Sequence, residues 1–424
     1  MPIKKIITLT TTFCLTSAIF AANTAPISAP PATPPQTVSA TTPATPQSTS
    51  APQTIVATAA APTTNTQPVT VTPTAPTLSA KGFVLMDANT GTVLAHKNMH
   101  QRMEPASLTK LMTLYVTSQA LQQGQIKLTD QVRVSDKAWK TGGSRMFIKA
   151  GSSVAVKDLI DGVIVASGND ACVALAQYVG GNEATFVDMM NQTAQQLGMK
   201  DTHFFDTTGL PNPTHYTTPY DIALLARALI THFPEDYTWY NQKWITYNGI
   251  KQPNRNRLLW RDNSVDGLKT GHTDSAGYCL VASAKRGDTR FVSVVMGAPT
   301  DEARSNNSEA LLNWGFRFYH THKLYDGNQA LANPRVWLGE SKTVPVGLSQ
   351  PLYVTIPAGN YAELKPSLNV TTTLHAPIKK GQAVGTVTVT LQNNVITELP
   401  LIALQDDPAG NFFSRTWDRL RMFF

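Results

Sequence analysis

The sequence predicts an α/β domain followed by a small all-β domain, and three observations predict it. Between residues 79 and 320, apolar residues at helical spacing alternate with short strand-like runs bounded by turn residues. After about Thr321 only strand-like runs remain. Before residue 79 the chain is too poor in buriable material to fold by itself. At 424 residues the chain exceeds one average domain, which agrees with this division.

The N-terminus reads as an export leader over residues 1–21. Lys4 and Lys5 precede the apolar run 6–20, which is short for a membrane span, and the small residues Ala21 and Ala22 follow. Residues 22–78 form a linker: no charged residue occurs from Asn23 to Ala80, and 12 of the 28 prolines fall there among Thr, Ala and Ser. Such a composition predicts a partly polyproline-like spacer.

Order is expected from near Lys81. Phe83–Met86 and Thr92–Ala95 flank a turn-rich pentapeptide and read as a hairpin. Leu108, Leu111, Met112, Tyr115 and Val116 follow helical spacing. Further helices are expected over 156–165, after Asp170, and from a Thr218 cap followed by Pro219. Tyr278–Ala284 and Phe291–Met296 read as two strands, and Ser308–Phe318 as a closing helix. The second domain, 321–405, carries strand-like runs at 352–357, 368–374, 384–391 and 395–404, with a turn at Asn393-Asn394. Over 406–424, Phe412, Phe413, Thr416, Trp417, Leu420, Phe423 and Phe424 share one helical arc opposite Arg415, Asp418, Arg419 and Arg421. That pattern suits a helix in a membrane interface; packing on the protein's own surface is the alternative.

The formal charge is +7, and losing Lys4 and Lys5 with the leader lowers it to +5. No basic block stands out, so nucleic acid is not an expected partner; a weak attraction to anionic envelope polymers or lipids fits better. Cys172 and Cys279 sit in apolar contexts and read as free buried thiols, with a disulfide the alternative.

Three short motifs occur in order: Ser107-Leu108-Thr109-Lys110, Ser167-Gly168-Asn169 and Lys269-Thr270-Gly271. Each alone is weak, because a serine at a helix start is commonly a cap. Their order and placement on the expected elements make the set informative. Ser107 and Lys110, three apart, face the same side of a helix. A serine hydroxyl needs an adjacent base, and a lysine serves only if burial or nearby positive charge lowers its pKa. Lys269 would supply such charge. Ser167 can relay a proton to a leaving amine, and Asn169 can position Lys110 and a substrate amide. Lys269 and Thr270 can dock a carboxylate, and the N–H groups of Ser107 and His272 an oxyanion.

The set resembles the penicillin-recognising serine acyl-transferases. Pro105–Thr113, Ala166–Ala171, Asn254-Arg255-Asn256, Asp266–Thr273 and Asn313–Phe318 resemble low-molecular-mass penicillin-binding proteins of the D-alanyl-D-alanine carboxypeptidase type. The similarity covers residues 78–424, with the Pro/Thr spacer its main departure. It implies a five-stranded antiparallel sheet with helices on both sides, then a β-sandwich-like domain. It implies an acyl-enzyme on Ser107, release of the terminal D-alanine from peptidoglycan pentapeptide stems, and acylation by β-lactams. The catalytic set is Ser107, Lys110, Ser167, Asn169 and Lys269; the substrate-binding set adds Thr270, Gly271 and His272. Arg255 and Arg304 match arginines at the substrate-carboxylate end, against a reading as surface ion pairs. His215 borders the expected site as a hydrogen-bonding or catalytic residue. No metal or cofactor is implied. The expected location is the periplasm, peripherally attached to the outer face of the inner membrane.

Glu309-Ala310-Leu311-Leu312-Asn313 spells a string that supplies the deacylating glutamate in class A β-lactamases, but it follows Lys269 instead of preceding it. Slow deacylation of β-lactams is therefore expected. The alternatives are a β-lactamase, a D,D-endopeptidase and a non-catalytic envelope scaffold; the intact motifs argue against the last.

Overall fold

The computed structural model describes residues 73–422 except Thr372. The leader and the spacer through residue 72 lie outside the described residues, as do Phe423 and Phe424. Five antiparallel strands form the central sheet: β1 (Gly82–Asp87), β2 (Val93–Lys97), β3 (Val265–Thr273), β4 (Gly277–Arg286) and β5 (Thr289–Ala298). Their order is β2-β1-β5-β4-β3, which leaves β3 at an edge.

Alternation along these strands separates two apolar layers. Val84, Met86, Val281, Val294 and Met296 pack with the helices of one face. Phe83, Leu85, Leu280, Ala282 and Val295 pack with Leu311 and Leu312 on the other. Strands buried on both sides read as near-continuous apolar runs for this reason. The first face carries α1 (Lys110–Gln122), α2 (Val156–Ile164), α3 (Asn169–Gly180), α4 (Glu183–Gln196) and α5 (Pro219–His232); the second carries α6 (Asp301–Phe318). Helix α1 is buried nearly all round, as a helix passing through a core must be.

The expected hairpin, the Thr218 cap and the strand pair at 277–298 are present. The Thr218 hydroxyl accepts from the Asp221 N–H at 3.1 Å. Three expectations are corrected. The closing helix begins at Asp301, not Ser308, because Thr300 caps it and its first turns bury polar Arg304, Ser305 and Asn307. Packed chain also begins before Lys81. The Pro73 carbonyl accepts from Trp314 Nε1 at 3.2 Å, and Ala75, Leu78 and Ala80 join the second apolar layer. Finally, the strand read at 368–374 runs from Leu364 to Val370, where Pro366 and a mostly exposed face hide the alternation.

The second half holds β6 (Tyr319–Tyr325), β7 (Leu352–Pro357), β8 (Leu364–Val370), β9 (Ala383–Leu391) and β10 (Asn394–Ala403). Strands β8, β9 and β10 belong to a five-stranded sheet, and β6 pairs with β7. Around Val346, Val387, Val389 and Leu401 lies a separate apolar core. The β9–β10 turn is Gln392-Asn393, one residue earlier than expected. Both have positive φ, 50° and 68°, as a tight hairpin requires. The halves meet at Asp87, whose carboxylate accepts from the Asn89 and Thr90 N–H groups at 2.8 Å and from the Thr321 hydroxyl of β6. Cys172 and Cys279 are free and buried.

Helix α7 (Phe412–Arg421) closes the described chain, capped by Asn411, whose Oδ1 accepts from Ser414 N–H at 2.8 Å. Among the described residues no helix is long and apolar enough to cross a membrane.

Candidate active site

Ser107 lies in a short 3-10 turn, Ala106–Thr109, immediately before α1. Here Lys110 Nζ stands 2.9 Å from Ser107 Oγ. The same Nζ donates to the Thr208 carbonyl at 2.6 Å. Lys110 is fully buried and Ser107 only half-buried, so the hydroxyl faces the opening and the amine lies beneath it.

The Thr208 carbonyl is aimed by a turn that lies outside the three motifs. Asp206 Oδ1 accepts from the N–H groups of Thr208 and Gly209, both at 2.7 Å. Gly209 has φ +85°, and a Cβ there would meet the Ala106 carbonyl oxygen at 1.7 Å. Only glycine permits that approach. Asp-Thr-Thr-Gly is a readable turn signal, but its partner is far away in sequence.

Ser167 and Asn169 start α3 in a buried loop. Ser167 adopts φ +56°, a strained conformation for a non-glycine residue, costing on the order of 1–3 kcal/mol. Neighbouring bonds hold it: Gly168 N–H donates to the Gly162 carbonyl at 3.0 Å and Asn169 N–H to that of Ser144 at 2.7 Å. Asn169 Nδ2 donates to the Gly142 carbonyl at 2.7 Å. Its amide thus fixes the 142–144 loop; no hydrogen bond to Lys110, the partner expected from sequence, is among its contacts. Asp170, also outside the expected set, accepts from the N–H groups of Met146, Phe147 and Ile148 and so anchors the same wall.

Edge strand β3 forms the opposite wall. Lys269 is buried, with Nζ donating to the Thr270 carbonyl at 3.1 Å. A Cβ on Gly271 would come within 3.2 Å of Ser107 N and of the Pro105 carbonyl, so the glycine lets β3 lie against the backbone of Ser107. His272 is exposed and stacks on Tyr278 with centroids 4.0 Å apart. Burial lowers the pKa of Lys110, and the Arg255 guanidinium adds to it. Burial also lowers Lys269 well below the ordinary lysine range, followed by the Lys110 charge. Lys110 thus acts on Lys269, whereas the charge that lowers Lys110 is that of Arg255 and not, as expected from sequence, that of Lys269.

The three peripheral candidates separate. Arg255 sits between Asn254 and Asn256, whose side chains bind the Gln242 and Gly267 carbonyls; its own side chain is exposed and has no hydrogen-bond or ion-pair partner among the described residues. Arg304 is buried, donates to the Gly271 and Cys279 carbonyls at 3.0 and 3.3 Å, and pairs with Asp301. It braces β3 and β4 from behind and is not a surface ion pair. His215 is buried, its Nε2 2.9 Å from Thr109 Oγ1. Burial pushes its pKa down to about 4, so it is neutral at pH 7 and supports the turn that carries Ser107. Glu309 lies in α6, 3.7 Å from Arg261. Among the described residues no cluster of His, Cys, Asp or Glu fits a metal ion.

Residues 69–300 match the family described as D-alanyl-D-alanine carboxypeptidase, and residues 319–409 match that described as penicillin-binding protein 5, C-terminal domain. The chain is 48% identical over 358 residues to D-alanyl-D-alanine carboxypeptidase DacC of Escherichia coli, covering 82% of this chain and 90% of that protein. Penicillin-binding protein 5 from Haemophilus influenzae superimposes with a TM-score of 0.75 at 43% identity, over 80% of this chain and 99% of that one. Penicillin-binding protein D2 from Listeria monocytogenes, solved with ampicillin bound, superimposes with a TM-score of 0.53 at 31% identity, over 57% of this chain and 98% of that one.

Proposed function

The chain belongs to the D-alanyl-D-alanine carboxypeptidase family of low-molecular-mass penicillin-binding proteins, and on that premise we propose that Ser107 is its nucleophile and Lys110 the base. The enzyme is a serine-type hydrolase that removes the terminal D-alanine from peptidoglycan stems and forms covalent adducts with β-lactams. The observation that carries the residue assignment is the 2.9 Å contact between Lys110 Nζ and Ser107 Oγ, with Nζ also held by Thr208. A neutral amine can donate to the Thr208 carbonyl while its lone pair takes the serine proton; an ammonium cannot. Burial of Lys110 favours that neutral form.

In this reading the freed oxygen attacks the D-Ala carbonyl, whose oxyanion is met by the N–H groups of Ser107 and His272. Lys269, Thr270 and exposed Arg255 receive the terminal carboxylate. Ser167 passes the proton to the departing D-alanine amine. Water then cleaves the ester. Glu309 lies in the closing helix, away from these groups, so no dedicated carboxylate hastens hydrolysis of a penicilloyl ester. The chain is exported to the periplasm, and α7 rests in the outer surface of the inner membrane. Its aromatic arc supports this: Phe412 and Phe413 are 76% and 81% exposed.

Ser107→Ala should abolish labelling by a fluorescent penicillin and reduce D-alanine release from a stem pentapeptide by roughly 10⁴-fold or more, with an unchanged circular dichroism spectrum. Labelling that persists on the variant moves the nucleophile elsewhere.

A further inference from the structure

Helix α7 does not hang free. The Leu338 N–H donates to Asp418 Oδ2 at 2.9 Å, and the Arg335 guanidinium lies 3.7 Å from the same carboxylate. Gly410 N–H, just before the helix, donates to the Leu338 carbonyl at 2.8 Å. A cleft of about 610 Å³ between helix and loop is lined by Arg335, Lys342, Ser414, Trp417, Asp418 and Arg421. At ~100° per residue, Ser414, Asp418 and Arg421 occupy one side of the helix, while Phe412, Phe413 and Leu420 point the opposite way. The helix is thus docked by its polar edge, with Trp417 lining the cleft and Phe412, Phe413 and Leu420 turned outward.

Two loops are stitched to the segment that feeds this helix. Ile378 and Asp407 exchange backbone hydrogen bonds of 2.9 Å, and Glu340 N–H donates to the Pro408 carbonyl at 3.0 Å. Loops 335–343 and 376–382 contain Arg335, Lys342, Lys379 and Lys380 against a single carboxylate, Glu340. The nearby acids bind main chain and form no ion pair with these lysines among the described residues: Asp406 accepts from the Lys380 N–H, and buried Asp407 accepts from the Ser341 N–H. Lys342, Lys379 and Lys380 are exposed, and none has an ion-pair partner among the described residues.

We infer that loops 335–343 and 376–382 join α7 in one face that docks on an anionic phospholipid bilayer, with Lys342, Lys379 and Lys380 adding headgroup contacts to those of exposed Arg415 and Arg419 on the helix. The inference rests on the reading of α7 as a membrane-surface helix and adds the lipid class. The charge excess on the two loops, the fixed attachment of both to residues 407–410, and the outward aromatics all favour a bilayer over a soluble anion. Apolar burial and electrostatic attraction then act at the same surface.

The test uses the full chain, the triple variant Lys342→Glu/Lys379→Glu/Lys380→Glu and a chain lacking residues 411–424. Each is sedimented at low salt with vesicles of phosphatidylcholine and with vesicles of equal parts phosphatidylcholine and phosphatidylglycerol. The triple variant should bind the mixed vesicles on the order of a hundredfold more weakly than the full chain and bind the neutral vesicles equally. Undiminished binding to the mixed vesicles overturns the inference while leaving the helix as anchor. If the truncated chain sediments as fully as the intact one, the helix is not the anchor, and a further loss on the triple substitution would then assign binding to the loops alone. All three proteins should acylate with fluorescent penicillin at the same rate, since these residues lie outside the cleft; a slowed variant marks a folding defect, and vesicle binding is then read on the single Lys342→Glu and Lys380→Glu chains against the same expectation.

Discussion

Asp206 places one carboxylate oxygen on the N–H groups of Thr208 and Gly209, and an asparagine there would offer a carbonyl oxygen of similar shape without the charge. That charge raises the pKa of Lys110, against the lowering by burial. Removing it lets the pKa of Lys110 fall, so the neutral base persists to lower pH. Asp206→Asn should therefore move the acid limb of the acylation–pH profile to lower pH, read as the rate of fluorescent-penicillin labelling. An acid limb that stays in place or moves to higher pH removes Lys110 as the base. The motif residues were legible because each group's chemistry is written within three or four consecutive positions. Asp206 was not, because the amine it serves lies 98 residues from the carbonyl it aims. Arg304 was read for its charge, yet burial against two strand carbonyls makes it a brace, a distinction that depends on where α6 packs.

At the scale of elements, the junction of the 206–209 turn with the Ala106–Thr109 turn decides how Ser107 is held. Gly209→Ala would force a Cβ into the Ala106 carbonyl and a side chain into φ +85°. The turn must shift, and the Thr208 carbonyl leaves Lys110. We expect a loss of about 10²-fold in acylation rate, the size that a displacement of ~1 Å can produce, with destabilisation of roughly 1–3 kcal/mol. Stopped-flow labelling and thermal melting read these separately; wild-type rates would mean the turn does not position the base. Helices and strands with clear apolar periods were readable, including α5 with its Thr218 cap. The first turns of α6 were not, because they bury arginine, serine and asparagine, and β8 was displaced because an edge strand containing Pro366 shows little alternation.

For the whole molecule, the two halves are joined through Asp87, which satisfies its own turn and the Thr321 hydroxyl at once. Thr321 N–H in turn donates to Thr289 Oγ1 at 2.9 Å, and Thr90 Oγ1 lies 2.8 Å from Thr355 Oγ1. Asp87→Ala would leave the buried Thr321 hydroxyl and the part-buried Asn89 and Thr90 N–H groups without this acceptor, each costing up to about 1–3 kcal/mol. Calorimetry should show a melting transition lowered by a few degrees, on the order of 1–2 °C per kcal/mol at ~2.1 cal/mol/K of unfolding entropy per residue, and separated into two steps. A single unshifted transition would show that the halves are coupled elsewhere. The change from mixed to all-β texture near Thr321 was visible in sequence; the junction was not, since nothing local marks Asp87 as more than a turn residue.

The place of β3 at the rim of its sheet bears on how resistance to inhibitors can arise. An edge strand presents main-chain N–H and C=O groups with no neighbour on one side. A β-lactam or stem peptide lying along that side is read largely through groups that every amino acid carries, so substitution along the strand cannot delete them. Gly271 narrows the choice further, because any larger residue presses on the backbone of Ser107. On the proposed assignment, escape is directed to the periphery, to Arg255 and to the 142–148 loop that Asn169 and Asp170 tie down, where side chains would make the contacts and could be lost one at a time.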